Sequence, residues 1–193
     1  MTAVRTLFAG CLLLVAGTAM AQLYSIPPGA YRTGAAYHRR QPQPAGTDAF
    51  YPDKRGQVVV VVRRGSQNLK LRVAPDSVWG YVTGKDRTYR LHRGEEYRLE
   101  FADTLCVYSS TTMVVDGQRV SQPLSAPRYF FSRGLAGLIF PLTTRYLREA
   151  YAASNPAFAA ALGELRFDQS LADFDRKTGL YRVTTIYRKT ATP

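Results

Sequence analysis

Residues Val73 to Phe101, VAPDSVWGYVTGKDRTYRLHRGEEYRLEF, decide the fold. The stretch holds the only Trp of the chain, three Tyr and two turn signals, Gly84-Lys85-Asp86 and Arg93-Gly94. Tyr89-Arg90-Leu91-His92 alternates apolar and polar residues, and so does Tyr97-Arg98-Leu99-Glu100-Phe101. Period two is the mark of a half-buried strand, so the stretch predicts three consecutive antiparallel strands.

Register follows from loop length. A two-residue loop at Arg93-Gly94 sets Leu91 opposite Glu96 and mixes the faces. A three-residue loop through Glu95 sets Leu91 opposite Tyr97 and Tyr89 opposite Leu99. Because one slip flips every side chain, the segregated three-residue register is the expectation. It places His92 by Glu96 and Arg90 by Arg98 on an outer face. At the preceding turn, a three-residue loop pairs Tyr81 with Tyr89 and Trp79 with Leu91 in the core. A four-residue loop would instead expose Trp79, Tyr81, Arg90 and His92 as a binding face, with Arg98 beside them. Large aromatics contribute mostly buried area, which favours the core register and predicts that helices cover it.

Outward from this meander, Val58 to Val62 is an unbroken β-branched run, a buried strand that turns at Arg64-Gly65-Ser66-Gln67 into Asn68 to Val73. Leu105 to Ser109, the hairpin Met113 to Val120 about Asp116-Gly117, and Arg128 to Ser132 are further strands. At Gly134 the period changes. Thr143 or Thr144 caps a helix carrying Tyr146, Leu147, Ala150 and Tyr151. Asn155-Pro156 opens another, with Phe158, Ala161, Leu162 and Leu165 on one stripe. Ser170 with Asp173 predicts a third, ending at Gly179. Leu180 to Arg188 fits both periods and is read as helix. The fold class is therefore α+β: an antiparallel meander or small roll over about 57–132, covered by C-terminal helices. The domain runs from 57 to 193, with its sheet at 57–133 and its helical part at 134–193.

Met1 to Ala21 has the form of a secretory signal: Arg5, an apolar run Leu7 to Ala16, and Ala19-Met20-Ala21 as a cleavage site. The run is too short to span a bilayer. Phe8-Ala9-Gly10-Cys11 is only a faint lipoprotein box, since most apolar residues follow the cysteine. Cleavage after Ala21 removes 21 of the 193 residues and leaves 172, enough for one sizeable core. Residues 22–56 are rich in Pro yet hold Tyr24, Tyr31, Tyr37, Phe50 and Tyr51, so partial order is expected, with a loose loop at Gln41 to Thr47. Thr33 can cap a short helix through Gly34 to His38, with Tyr37 inward.

Loss of Arg5 leaves 25 basic and 14 acidic residues, a net charge of +11. Such a surface attracts anionic lipid head groups or acidic glycans, with an envelope protein as a further candidate partner; export makes nucleic acid the least available partner. With Cys11 gone, Cys106 stands alone between apolar neighbours and reads as a packed thiol. There is no Gly-rich phosphate loop, no HExxH, no paired-cysteine metal spacing and no Gly-x-Ser-x-Gly elbow, and no cofactor is implied. The segments Gly29-Ala30-Tyr31-Arg32-Thr33 and Pro75-Asp76-Ser77-Val78-Trp79-Gly80-Tyr81, with the Tyr89-to-Tyr97 hairpin, resemble a group of small exported proteins of Bacteroidota-type bacteria. The resemblance implies that Gly29 to Tyr37 belongs to the folded domain. It brings no catalytic residue. Two readings follow: a non-enzymatic periplasmic or cell-surface binding or structural module, with Trp79, Tyr81, Arg90, His92 and Arg98 as its candidate face, or a small hydrolase using His92 with Glu96, or Cys106.

Overall fold

The structure, a computed structural model, describes residues 25–51, 54–111, 113–115, 118–120, 126–166 and 168–191. The expected signal segment, Cys11 included, lies outside them. The N-terminal segment forms β1 (Gly29–Tyr31), α1 (Gly34–His38) and β2 (Asp48–Phe50). A hairpin of β3 (Val58–Arg64) and β4 (Gln67–Val73) leads through a 3₁₀ turn to β5 (Gly80–Val82), β6 (Thr88–His92), β7 (Glu95–Phe101) and β8 (Leu105–Ser110). β9 (Met113–Val115) and β10 (Gln118–Val120) pair with each other, and β11 (Arg128–Arg133) and β12 (Phe140–Pro141) follow. The chain closes with α2 (Thr144–Tyr151), α3 (Pro156–Gly163), β13 (Phe174–Asp175), β14 (Leu180–Tyr181) and α4 (Arg182–Thr190).

The architecture is α+β with open antiparallel sheets. Seven strands order as β1-β5-β6-β7-β8-β11-β12, and β2-β3-β4 form a second sheet. The large sheet therefore begins earlier than the meander, at Gly29, and ends at Pro141. Its front carries Tyr81, Tyr89 and Leu91, which pack with Val58, Val60 and Ala49 of the smaller sheet. Farther along the same front, Leu105, Val107 and Phe131 pack under Leu147, Tyr151, Phe158, Leu162 and Val183 of the helices. The back carries Tyr97, Cys106, Tyr108 and Phe130, with Leu135 and Ile139 over them.

Side-chain caps start α1, α2 and α3, while α4 begins without one. Thr33 Oγ1 accepts from Ala36 N, Thr143 Oγ1 from Tyr146 N and Asn155 Oδ1 from Phe158 N, each contributing about 1 kcal/mol. Tyr37 turns inward from α1 as the Thr33 cap predicts. Between Ser170 and Gly179 the expected helix gives way to the β13–β14 hairpin, where Gly179 sits at φ +68° and Phe174 is exposed. Asp175 draws the turn closed through Lys177 N and Thr178 Oγ1 instead of continuing a helix. The helix expected at Leu180 to Arg188 forms from Arg182. Residues 41–47 are not loose: Gln43 N donates to Ala30 O, Ala30 N to Pro44 O, and Ala45 bridges Gly29.

The meander keeps one expected register and changes the other. Tyr81 pairs Tyr89 across the three-residue loop, and the two rings stack with centroids 5.2 Å apart. Between β6 and β7, however, Leu91 pairs Glu96, Arg90 pairs Tyr97 and His92 pairs Glu95. The loop is the two-residue one, with Arg93 at φ +53° and Gly94 at φ +75°. A turn with positive φ at both residues matches the twist of the strands, and that preference overrides segregation of the faces. The mixed residues find partners: Tyr81 Oη donates to Glu96 and Tyr97 Oη to Glu95.

The expected single apolar face therefore divides. Tyr81, Tyr89 and Leu91 are in front, while Tyr97 and Leu99 are behind. Trp79 breaks the pleat, since Val78 packs in front and Trp79 turns to the back against Tyr37, Val82 and Leu135. It is half-buried, not core, and its Nε1 donates to Leu135 O at 2.6 Å. The smaller sheet, not the helices, covers Tyr81 and Tyr89, because the chain before β5 folds back over them. No helix among the described residues is long and apolar enough to cross a membrane.

Candidate functional site

Between the two packed ends of the front face lies a strip that neither the smaller sheet nor the helices cover. Strand alternation points Glu96, Arg98 and Glu100 of β7 into it, beside Tyr89 of β6, Ser109 of β8 and Tyr129 of β11. Tyr181 of β14 and Arg87 complete a cleft of about 450 Å³. Alternation alone brings Glu100 to this side, and the β7–β8 ladder shifts register beside it, so that Phe101 faces the front as well. Leu99 pairs Tyr108 and Phe101 pairs Val107, so Glu100 is an extra residue, a β-bulge.

The carboxylates are engaged from within. Glu96 Oε2 accepts from Tyr81 Oη at 2.7 Å, and Glu100 Oε1 accepts from Ser109 Oγ at 2.5 Å. Arg98 Nε stands 3.5 Å from Glu100 Oε1, a loose ion pair, and the Arg98 side chain is 46% exposed against 16% for Glu100. Arg87 is exposed at the rim. Tyr129 and Tyr181 set their ring centroids 6.0 Å apart on the helical side. Burial, then the charge of Glu96, pushes the Tyr81 hydroxyl far above the usual tyrosine range. Burial, then Glu100, pushes Tyr181 up to about 12. Both hydroxyls remain donors at any physiological pH.

The residues singled out by sequence separate. Tyr81 and Arg98 belong to this front strip, Tyr81 beneath it and Arg98 in its lining. Trp79, Arg90 and His92 are on the back. Arg90 is buried, donating to Tyr108 Oη at 3.1 Å, Ser132 Oγ at 3.3 Å and Gly137 O at 2.6 Å. His92 pairs Glu95 and points away from Glu96, so the expected His92–Glu96 couple does not form. Burial and the cations Arg90 and Arg93 lower the His92 pKa below its usual value. Cys106 is fully buried, its thiol donating to Asp103 O and its pKa raised by burial, the opposite of an activated nucleophile.

A wider groove of about 730 Å³ on the back, between α1 and Leu135, has a mostly apolar lining with His38 and Arg40 beside it, and its Asp103 is held by Thr104 and Arg188. Convergent polar groups single out the front cleft instead. Among the described residues no group of three or more His, Cys, Asp or Glu could hold a metal ion. Set against known proteins, the chain matches no family model, no curated protein and no solved structure.

Proposed function

We propose that the chain is an exported binding module and that the front cleft takes an anionic, hydroxyl-rich ligand of the acidic-glycan class. The observation that carries this is the asymmetry of the lining. Its carboxylates are bonded inward to Tyr81 and Ser109, while the guanidinium groups of Arg98 and Arg87 meet solvent. Guanidinium forks suit carboxylate or sulfate groups, and the Tyr89, Tyr129 and Tyr181 rings offer surfaces and hydroxyls for a sugar. Export rests on the Met1 to Ala21 pattern and accords with the resemblance to small exported proteins of Bacteroidota-type bacteria.

Binding is favoured over hydrolysis. Glu96 and Glu100 are each tied to a hydroxyl of the sheet, Tyr81 and Ser109, and Glu100 also faces Arg98, so the pair is arranged as anchors of the lining and not as a poised acid and base. The hydrolase reading through His92 with Glu96, or through Cys106, gains no support, since those groups do not converge on one cleft.

Isothermal titration of the chain from Gln22 with uronic-acid oligosaccharides, beside their neutral counterparts, tests the site. Acidic ligands should bind, and Arg87→Ala with Arg98→Ala should abolish binding at an unchanged melting temperature. Equal binding of neutral sugars, or unaltered binding by the variant, would overturn the assignment. N-terminal sequencing of exported material should begin at Gln22; a lipid-modified Cys11 would contradict the leader reading.

A further inference from the structure

The β3–β4 hairpin projects from the body of the protein. Ten consecutive residues, Arg63 to Arg72, are exposed, spanning the turn at Gly65-Ser66, so both faces of the ribbon meet solvent. Pairing sorts its side chains. Val62 opposite Leu69 and Val60 opposite Leu71 make one face, where Leu69 and Leu71 stay 38% and 43% exposed. Arg63 opposite Asn68, Lys70 opposite Val61 and Arg72 opposite Val59 make the other, and Arg64 stands at the turn. No Asp or Glu occurs between residues 54 and 75. Among the described residues, none of the four arm cations joins an ion pair.

Along the open β4 edge the order is Leu69-Lys70-Leu71-Arg72. Seated on this edge, the ribbon sends Leu69 and Leu71 down from one face and Lys70 and Arg72 from the other, which suits the boundary layer of a bilayer, where apolar side chains enter between head groups and long cationic ones reach phosphates. A second copy of the chain is a poor occupant, because edge-to-edge pairing would bring Lys70 and Arg72 of both strands together. We infer that this arm docks the protein on an anionic phospholipid surface. The site is independent of the front cleft, which is built from β6, β7, β8, β11 and β14.

Vesicle co-sedimentation of the chain from Gln22 tests the arm, using equal parts phosphatidylcholine and phosphatidylglycerol against phosphatidylcholine alone. The wild type should sediment with the anionic vesicles only, and salt should release it. Arg63→Gln with Lys70→Gln and Arg72→Gln should lower partitioning about a hundredfold, as three surface-facing cations do. Removing as much charge from the helical side, through Arg145→Gln, Arg148→Gln and Arg166→Gln, should lower it less than about threefold. Leu69→Ser with Leu71→Ser keeps every charge and should weaken binding about tenfold. The arm residues are exposed, so thermal melts should match wild type, and Arg98→Ala should bind vesicles normally. Equal loss in the two charge variants would reduce the effect to net charge and overturn the proposal. So would strong binding to phosphatidylcholine alone, or capture of the arm by an acidic glycan resin when anionic vesicles are ignored.

Discussion

Replacing Arg90 by Met and by Ala should separate packing from hydrogen bonding at its buried guanidinium on the sheet's back face. Arg90 is 4% exposed and makes no ion pair among the described residues, and its Nε has no hydrogen-bond partner. Arg90→Met keeps most of the volume. It loses the bond to Gly137 O, about 1.5–3 kcal/mol for a charged donor. Tyr108 and Ser132 still bond each other at 3.0 Å, and Ser132 Oγ still donates to Gly134 O at 2.6 Å, so neither hydroxyl is orphaned. Against the lost bond stands the penalty of burying an unpaired cation, several kcal/mol. The Trp79 and Tyr108 rings, 5.9 and 5.7 Å from the guanidinium carbon, return part of it at about 0.5–2 kcal/mol each. The opposing terms nearly cancel, and Arg90→Met should lie within about 1 kcal/mol of wild type. Arg90→Ala loses the same bonds and, relative to Met, the Cγ, Sδ and Cε groups, about three methylene equivalents of packing at ~0.8 kcal/mol each, with a cavity besides. It should be about 2–4 kcal/mol less stable than the Met variant, roughly 5–15 °C in melting temperature for a chain of this size. Thermal and urea unfolding of the two variants side by side measure the difference. A Met variant as damaged as the Ala variant would refute the cancellation and show that the guanidinium bonds hold the 134–139 segment in place.

Trp79→Ala should cost about 2–4 kcal/mol, below a full core deletion because the ring is half-buried, and Trp79→Phe should isolate about 1 kcal/mol for the bond to Leu135 O. Urea melts check both, and a Trp79→Ala variant as stable as wild type would return this residue to an exposed face. For His92 the folded-state pKa is depressed by burial and by Arg90 and Arg93, so the unfolded chain takes up a proton first. Its contribution is present above about pH 6.5 and is lost as pH falls through the lower folded value. His92→Gln should flatten that slope in urea titrations at about pH 7.5 and about pH 5; an unchanged slope would assign it to other groups.

Much of the fold was legible because local chemistry and tertiary context agree. Thr33, Thr143 and Asn155 cap helices as their spacing predicts, and the loop at Gly84 to Asp86 sets the register foreseen. Reading failed where a local turn preference outweighed the face pattern. Arg93-Gly94 closes a two-residue hairpin, which sends Tyr97 and Arg90 to one side and Glu96 and Arg98 to the other. Ser170 to Asp173 carries a helix-start spacing, but Asp175 and Gly179 provide a tighter turn a few residues on. Of the cleft, the alternation in Glu96-Tyr97-Arg98-Leu99-Glu100 was visible in the sequence. Ser109, Tyr129 and Tyr181 come from distant strands, and nothing short of the sheet order brings them to the same strip.

The bulge at Glu100 has a meaning for how such a cleft arises. Arg98 pairs Ser109, Leu99 pairs Tyr108 and Phe101 pairs Val107. Those pairings form an uninterrupted ladder if Glu100 is taken out, with Leu99 still behind and Phe101 still in front under the helices. Glu100 is thus supernumerary to the sheet. A single inserted codon would have added its carboxylate to the cleft while moving no packed side chain, so the site could be elaborated without renegotiating the core beneath it.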